Sequence, residues 1–130
     1  MSAQAQAVAS VARRGYLDGW TDDELLARQV AKFFEEIGEL ASTIETDDPQ
    51  MAEFFASIVR AGQQARVVFD RRDLFVGATV ADTQAAQYEL ADLGVVLAVM
   101  GHALAVPDVM FAASQKALAD EARGVRKNGS

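Results

Sequence analysis

The sequence contains no cysteine, one histidine and only two prolines. The absence of cysteine excludes a disulfide scaffold, a thiolate zinc site and a cysteine nucleophile. The single histidine, His102, excludes chemistry that needs several histidines within one chain. Two prolines and nine glycines are few for an all-β domain, which needs many turns. These shortages favour a helical protein without thiol chemistry.

Basic residues and long apolar runs are also scarce. Twelve Lys and Arg against nineteen Asp and Glu leave a net charge of −7, which argues against a protein that binds nucleic acid through its phosphates. The longest apolar run, Leu93–Val106, is interrupted by His102. It is shorter than the about 20 residues of a membrane-spanning helix, so we expect a buried helix and no membrane partner. Arg13 and Arg14 follow an apolar stretch, the reverse of the order in a signal peptide, so we expect a cytoplasmic protein.

The residues that are present predict helices with clear starts. The chain has 130 residues, half of them hydrophobic (51%), which is enough for one domain with a packed core. Four helix starts are marked by local capping signals: Thr21 with Glu24, Asp48 with Pro49, Asp82 or Thr83, and Asp108 after Pro107. We therefore predict an all-α fold, an antiparallel bundle of four to five helices forming a single domain over residues 1–130. Residues 1–15 are expected to form a first helix or to fray, and residues 124–130 to fray. The second capped helix is expected to reach Val68, and residues 70–81 to form a loop.

The helix that begins after Thr21 carries an apolar stripe and an acidic group beside it. The stripe recurs in steps of three and four, typical of a helix that buries one face: Leu26, Val30, Phe33, Ile37, Leu40 and Ile44. Glu35, Glu36 and Glu39 lie next to this stripe, and Glu89 and Asp92 form an i, i+3 pair before the apolar run of a later helix.

Carboxylates placed beside an apolar face need a partner, and few basic residues are near them. If the two helices face each other, four or five acids converge, and such a cluster must protonate, separate or bind cations. All-oxygen ligands suit Mg²⁺, with Mn²⁺ as a possible substitute. A di-iron bundle would use Glu-x-x-His pairs, which are missing here, so iron is disfavoured.

Two segments together resemble a known family. Lys32–Ala41 (KFFEEIGELA) and Glu89–Gly94 (ELADLG) are similar to the Lys-x-x-Glu-Glu-x-x-Glu and Glu-x-x-Asp signatures of the MazG-like all-α nucleoside triphosphate pyrophosphohydrolases. Lys116–Arg123 resembles the C-terminal Lys-x-x-x-Asn-x-x-Arg signature, with Asp120 where asparagine is usual. The resemblance covers about 25–123. The stretch 48–81 is longer than the family pattern and predicts an extra helix and loop.

The resemblance implies a MazG-like fold and a Mg²⁺-dependent enzyme that cleaves a nucleoside triphosphate between the α- and β-phosphates, giving the monophosphate and pyrophosphate. The implied metal ligands are four carboxylates: Glu36, Glu39, Glu89 and Asp92. Glu35 is the candidate catalytic residue, which would orient or deprotonate the attacking water or bind a further ion. The implied phosphate ligands are three cations: Lys32, Lys116 and Arg123. The family's assemblies imply a homodimer or a dimer of dimers, and the expected role is the clearing of surplus or non-standard nucleotides.

Base recognition and two other functions stay open at this point. Four aromatic side chains are candidates to stack on a base, although core packing is favoured for each: Tyr16, Trp20, Phe75 and Tyr88. His102 is expected to be a hydrogen-bonded core residue. A narrow pyrimidine-specific enzyme competes with a broad one. The alternatives are a non-catalytic helical regulatory or adaptor module on the same fold, and a phosphoribosyl-ATP-type pyrophosphohydrolase.

Overall fold

Helices account for the regular structure of the protein. The computed structural model describes residues 1–126, and within that range it contains α-helices and one 3₁₀ helix but no β-strand. The α-helices are α1 (Ala3–Arg13), α2 (Asp22–Ala41), α3 (Pro49–Asp70), α4 (Thr83–Ala103) and α5 (Val109–Ala122). The predicted all-α class is therefore confirmed. None of the described helices combines the length and the apolarity that crossing a bilayer requires.

The helix starts lie where the capping residues predict them. Thr21 Oγ1 accepts a bond from the Glu24 amide at 3.1 Å, and Glu24 Oε1 accepts one from the Thr21 amide at 2.9 Å, forming a capping box. Asp48, Asp82 and Asp108 each accept a bond from the backbone amide three residues later, at 2.9–3.0 Å. Of the two candidates for the start of α4, Asp82 is the cap and Thr83 is the first helical residue.

The end of α3 and the content of the loop after it differ from the predictions. Helix α3 continues two residues beyond Val68, to Asp70. The predicted loop 70–81 contains the 3₁₀ helix Arg72–Phe75, which buries Phe75. After α5 the chain turns at Gly124, whose φ of 82° is a conformation that suits glycine. The predicted fraying of 124–130 concerns residues that mostly lie outside the described range.

The chain divides into two units, residues 1–19 with 80–130 and residues 20–79. The second unit is a helical pair, in which α2 packs along α3. Their backbones approach closely at Gly38 and Gly62, where a Cβ added to either residue would lie 3.0 Å from the other residue's Cα. Small residues at the crossing permit this approach, since no side chain separates the two backbones.

The buried face of α2 overlaps only partly with the predicted apolar stripe, of which Phe33, Ile37 and Leu40 are half-buried. The residues that α2 buries are Arg28, Ala31, Gly38 and Ala41. Val30 and Ile44, both members of the predicted stripe, are 51% and 46% exposed. The prediction was wrong for these two residues, because periodicity identifies an apolar face but not which part of it packs on the neighbouring helix. Here the small residues at the crossing decide it.

In the first unit, α1 packs on α5 and α4 is largely exposed. Ser10 Oγ is fully buried and donates to the Ala117 carbonyl at 3.0 Å. Helix α4 buries only Gly101, which the side chain of Val109 and the Val106 carbonyl approach closely. The prediction that the 93–106 run is buried was therefore wrong for the chain by itself. His102 is exposed as well, and was wrongly expected in the core.

Candidate functional site

Glu35, Glu36 and Glu39 of α2 form an acidic cluster. One carboxylate oxygen from each lies within 4.8 Å of the other two, close enough to bind one cation together. The side chain of Glu35 is 11% exposed, whereas that of Glu36 is 56% exposed, so the cluster reaches from the α2–α3 contact to solvent. Three carboxylates are a donor set that fits Mg²⁺ or Mn²⁺, which prefer oxygen ligands.

Lys32 is held by the acidic cluster. Its Nζ lies 3.2 Å from Glu35 Oε2 and 3.5 Å from Glu36 Oε1. The i, i+3 and i, i+4 spacings on α2 bring these groups to the same side of the helix, as the sequence predicts. The ammonium group partly offsets the repulsion among the carboxylates.

Helix α3 forms the second wall of a cleft at the acidic cluster. The cleft has a volume of about 290 Å³. Its lining comes from α2 (Glu35, Gly38, Glu39 and Ser42) and from α3 (Val59, Gly62, Gln63 and Arg66). Arg66 and Gln63 thus add a cation and an amide to the acidic side of the cleft.

Sequence reasoning missed Arg66 and Gln63. No motif marks them, and their place at the cleft depends on which face of α3 packs on α2. The signal that was available is Gly62, a glycine inside a helix, which indicates a close approach of another backbone. A second glycine at Gly38 points to the same crossing.

A second group of polar and aromatic residues, which we call the arginine–tryptophan cluster, contains Trp20, Arg28, Phe69 and Arg72. Arg28 Cζ lies 3.8 Å from the ring centre of Phe69 and 5.1 Å from that of Trp20. Arg72 Cζ lies 4.4 Å from the Trp20 ring centre. The pKa of Arg28 is lowered mainly by burial and, to a smaller extent, by the positive charge of Arg72. The negative charge of Asp70 raises it.

The loop that carries Arg72 is tied to the start of α2. Glu24 Oε2 accepts a bond from the Gly77 amide at 2.7 Å, while the other oxygen serves the capping box. The bonds from the amides of Gly77 and Thr21 hold the pKa of Glu24 below its usual value. Gly77 itself has a φ of 83°.

Lys116 and Arg123, two of the predicted phosphate ligands, are both ion-paired with Asp120. Lys116 Nζ donates to Asp120 Oδ1 at 2.7 Å, and Arg123 Nη2 donates to the same oxygen. These bonds hold the pKa of Asp120 below its usual value. The residue that stands where asparagine is usual therefore binds the two cations beside it.

Glu89 and Asp92 are exposed on α4, one helical turn apart. They belong to the unit of residues 1–19 and 80–130, whereas the acidic cluster belongs to the unit of residues 20–79. Within each helix, the acids have the spacing that the sequence predicts. The predicted convergence of the two sets stays a prediction.

The four aromatic candidates for base stacking differ in their accessibility. Phe75 is 8% exposed, so it is a core residue, whereas Tyr88 is 72% exposed. Arg14 Cζ lies 5.5 Å from the ring centre of Tyr16. Trp20 has guanidinium groups of Arg28 and Arg72 against its ring.

No model of a known protein family, no curated protein and no solved structure matches the chain. The resemblance to the MazG-like enzymes therefore rests on the motifs of the sequence.

Proposed function

We propose that the protein is a Mg²⁺-dependent nucleoside triphosphate pyrophosphohydrolase, which cleaves between the α- and β-phosphates to release the nucleoside monophosphate and pyrophosphate. The observation that carries this proposal is the acidic cluster, whose three carboxylates meet within 4.8 Å on one side of α2. The motif similarity supports the same activity. The role that follows is the removal of surplus or non-standard nucleotides, on a MazG-like fold.

The cleft beside the acidic cluster supplies groups of the kinds this reaction needs. Glu36 and Glu39 are proposed to hold Mg²⁺, which would neutralise phosphate charge and lower the pKa of a bound water. Glu35 lines the cleft and is the proposed residue that orients or deprotonates the attacking water. Arg66 faces the same cleft and has no carboxylate partner among the described residues, so it is free to bind a phosphate.

Lys32 has two roles in this proposal. Before the substrate binds, it is paired with Glu35 and Glu36. A divalent cation held by Glu36 and Glu39 would compete with Lys32 for Glu36, and the ammonium group would then be available to the phosphates. Glu89 and Asp92 are proposed as the second pair of metal ligands, on the strength of their Glu-x-x-Asp spacing.

Lys116 and Arg123 are weaker candidates for phosphate binding than Lys32. Both are occupied by Asp120, and a carboxylate close to a triphosphate would repel it. We propose that they bind phosphate only after Asp120 releases them.

The proposed assembly is a homodimer or a dimer of dimers. Helix α4 carries large apolar side chains that the chain leaves uncovered: Tyr88, Leu90, Val95, Val96 and Val99 are 48–72% exposed. An apolar surface of this kind is typical of a protein–protein contact.

The experiment that tests the function is a hydrolysis assay on a panel of ribo- and deoxynucleoside triphosphates with Mg²⁺. We expect pyrophosphate and monophosphate as products, and the panel separates a pyrimidine-specific enzyme from a broad one. Glu39→Gln and Asp92→Asn should each lower turnover by at least about 100-fold, because each removes a charged metal ligand. The circular dichroism of both variants should stay helical.

The matched control is Glu45→Gln, which removes an exposed carboxylate outside the acidic cluster and should keep normal turnover. Orthophosphate as the sole product would contradict cleavage between the α- and β-phosphates. The absence of turnover with every nucleotide would contradict the enzyme and favour the adaptor module.

A further inference from the structure

The arginine–tryptophan cluster contains two hydrogen-bond donors that are buried and unpartnered. Arg28 is 7% exposed, and its Nε has no acceptor. The indole Nε1 of Trp20 is buried without an acceptor as well. A buried donor without an acceptor destabilises the protein, so the cluster is suited to receiving an acceptor.

The charge around these donors is positive. Neither Arg28 nor Arg72 has an ion pair with a carboxylate among the described residues. Asp73, the nearest acid in sequence to Arg72, is already paired with Arg71 by two bonds of 2.9 and 3.0 Å. Asp70 acts on Arg28 electrostatically but forms no ion pair with it.

Donor chemistry and charge together specify the ligand. Guanidinium and indole N–H groups donate and do not accept, so the ligand must present acceptor oxygens. Two guanidinium groups at one place favour an anion, and phosphate oxygens match the planar fork of arginine.

The arginine–tryptophan cluster is continuous with the acidic cluster through Lys32. Lys32 Nζ lies 5.2 Å from the ring centre of Phe69, the ring on which Arg28 stacks at 3.8 Å. The same Nζ contacts Glu35 and Glu36. A polyphosphate chain that begins at the acidic cluster would therefore meet Lys32 next and the arginines after it.

We propose that Arg28, Arg72 and Trp20 Nε1 bind the terminal phosphates of the polyphosphate substrate, the part that leaves as pyrophosphate. This inference rests on the proposed function for the identity of the ligand. Arg72 lies on the 3₁₀ helix Arg72–Phe75, which is attached to the start of α2 through the bond from Gly77 to Glu24. The exposed Arg72 and the buried Arg28 both lie near the Trp20 ring.

Trp20 is the only tryptophan of the chain, so its fluorescence reports on this site directly. The experiment titrates the full chain with inorganic pyrophosphate in the presence of a chelator, at constant ionic strength. We expect a saturable change in the Trp20 emission. Arg72→Gln should weaken pyrophosphate binding about tenfold, because one charge-assisted contact is lost. Acetate and citrate, which present carboxylate oxygens, should produce a smaller change.

The control is Arg60→Gln on α3, which removes an exposed arginine paired with Glu53 and should bind pyrophosphate normally. Arg28→Lys, a second variant, keeps the charge at the buried position but loses the fork and should also weaken binding. An emission that pyrophosphate leaves unchanged, or an unchanged affinity in Arg72→Gln, would overturn the site even if nucleotides are hydrolysed. A normal response without any hydrolysis would support the anion site and reject the enzyme.

Discussion

Lys32 illustrates how a single side chain links the stability of the acidic cluster to its proposed function. Its ammonium group lies 3.2 Å from Glu35 and 3.5 Å from Glu36, where it competes with any cation that the carboxylates bind. A divalent ion carries more charge than the ammonium group and should displace it. The same residue that stabilises the protein without metal is thereby available to the substrate with metal.

We predict opposite effects of Lys32→Met on metal binding and on catalysis. Removal of the competing charge should raise the affinity for Mn²⁺ about tenfold, since like charges at this distance repel by about 1–4 kcal/mol. Turnover should fall at least about 100-fold, because a phosphate contact is lost. Isothermal titration with Mn²⁺ and the pyrophosphate-release assay measure the two effects. Lys32→Arg, which keeps the charge, is the control, and an unchanged Mn²⁺ affinity in Lys32→Met would contradict the prediction.

Asp120 gives a pH-dependent contribution to stability. Its pairing with Lys116 and Arg123 depresses its pKa in the folded state below the value in the unfolded chain. The contribution is therefore fully present above the unfolded pKa of about 4 and is lost as the pH falls through the lower, folded value.

We predict that Asp120→Asn lowers the free energy of unfolding at pH 7 by no more than about 1 kcal/mol, because both ion pairs are near the surface. The difference between the variant and the native protein should shrink as the pH falls below the unfolded pKa of about 4. Urea unfolding at pH 7, 5, 4 and 3 measures it. A difference that grows towards acid would contradict the sign of the shift.

At the scale of helices, the contact of α2 with α3 sets the position of the acidic cluster. A Cβ at Gly62 would lie 2.9 Å from the Phe34 carbonyl and 3.0 Å from Gly38 Cα. Both atoms belong to the backbone, so no side-chain rotation relieves the clash. The Glu35 carbonyl, 3.4 Å away, belongs to the proposed catalytic residue.

We predict that Gly62→Ala destabilises the protein by about 1–3 kcal/mol, the usual cost of overpacking, although alanine is the better helix former. Because the helices must separate, the cleft widens and turnover should fall as well. Urea unfolding and the hydrolysis assay measure these effects. The control is Gln64→Ala, since Gln64 is exposed on the same turn of α3. This variant should change the free energy of unfolding by less than about 0.5 kcal/mol. Equal stability of the two variants would show that the close crossing is not required.

The starts of the helices were predictable from the sequence because caps are local. Thr21, Asp48, Asp82 and Asp108 each act on an amide three residues away, so a short segment contains the whole interaction. The pairing of Lys32 with Glu35 and Glu36 was predictable for the same reason.

The buried faces and half of the cleft were not predictable in this way. Arg66 reaches the cleft only because Gly62 lets α3 approach α2, a contact between residues far apart in the chain. Arg28 is buried because Phe69 and Trp20 cover it, and no periodic pattern marks an arginine for burial. Long-range packing decided both positions.

At the scale of the whole molecule, the proposed assembly rests on the exposed apolar surface of α4. Val95 and Val99 lie one turn apart and are 63% and 62% exposed, and Tyr88 is 72% exposed. Burying such side chains stabilises a protein by about 25 cal/mol per Å² of apolar surface. In the single chain these side chains stay exposed and do not contribute this free energy. A second copy of the chain offers the same apolar surface in return, as a two-fold symmetric contact requires.

We predict that the protein sediments at twice the chain mass of 14.0 kDa or a multiple of it, and that Val95→Asp shifts it towards the monomer. A carboxylate at this position would be buried without a partner in the contact, which disfavours association by several kcal/mol. Sedimentation equilibrium over a range of concentrations measures the effect. Gln87→Asp adds the same charge at an exposed polar position of α4 and is the matched control, which should associate normally. If the native protein has the mass of one chain at all concentrations, the assembly is contradicted. The apolar face of α4 would then stay exposed in solution.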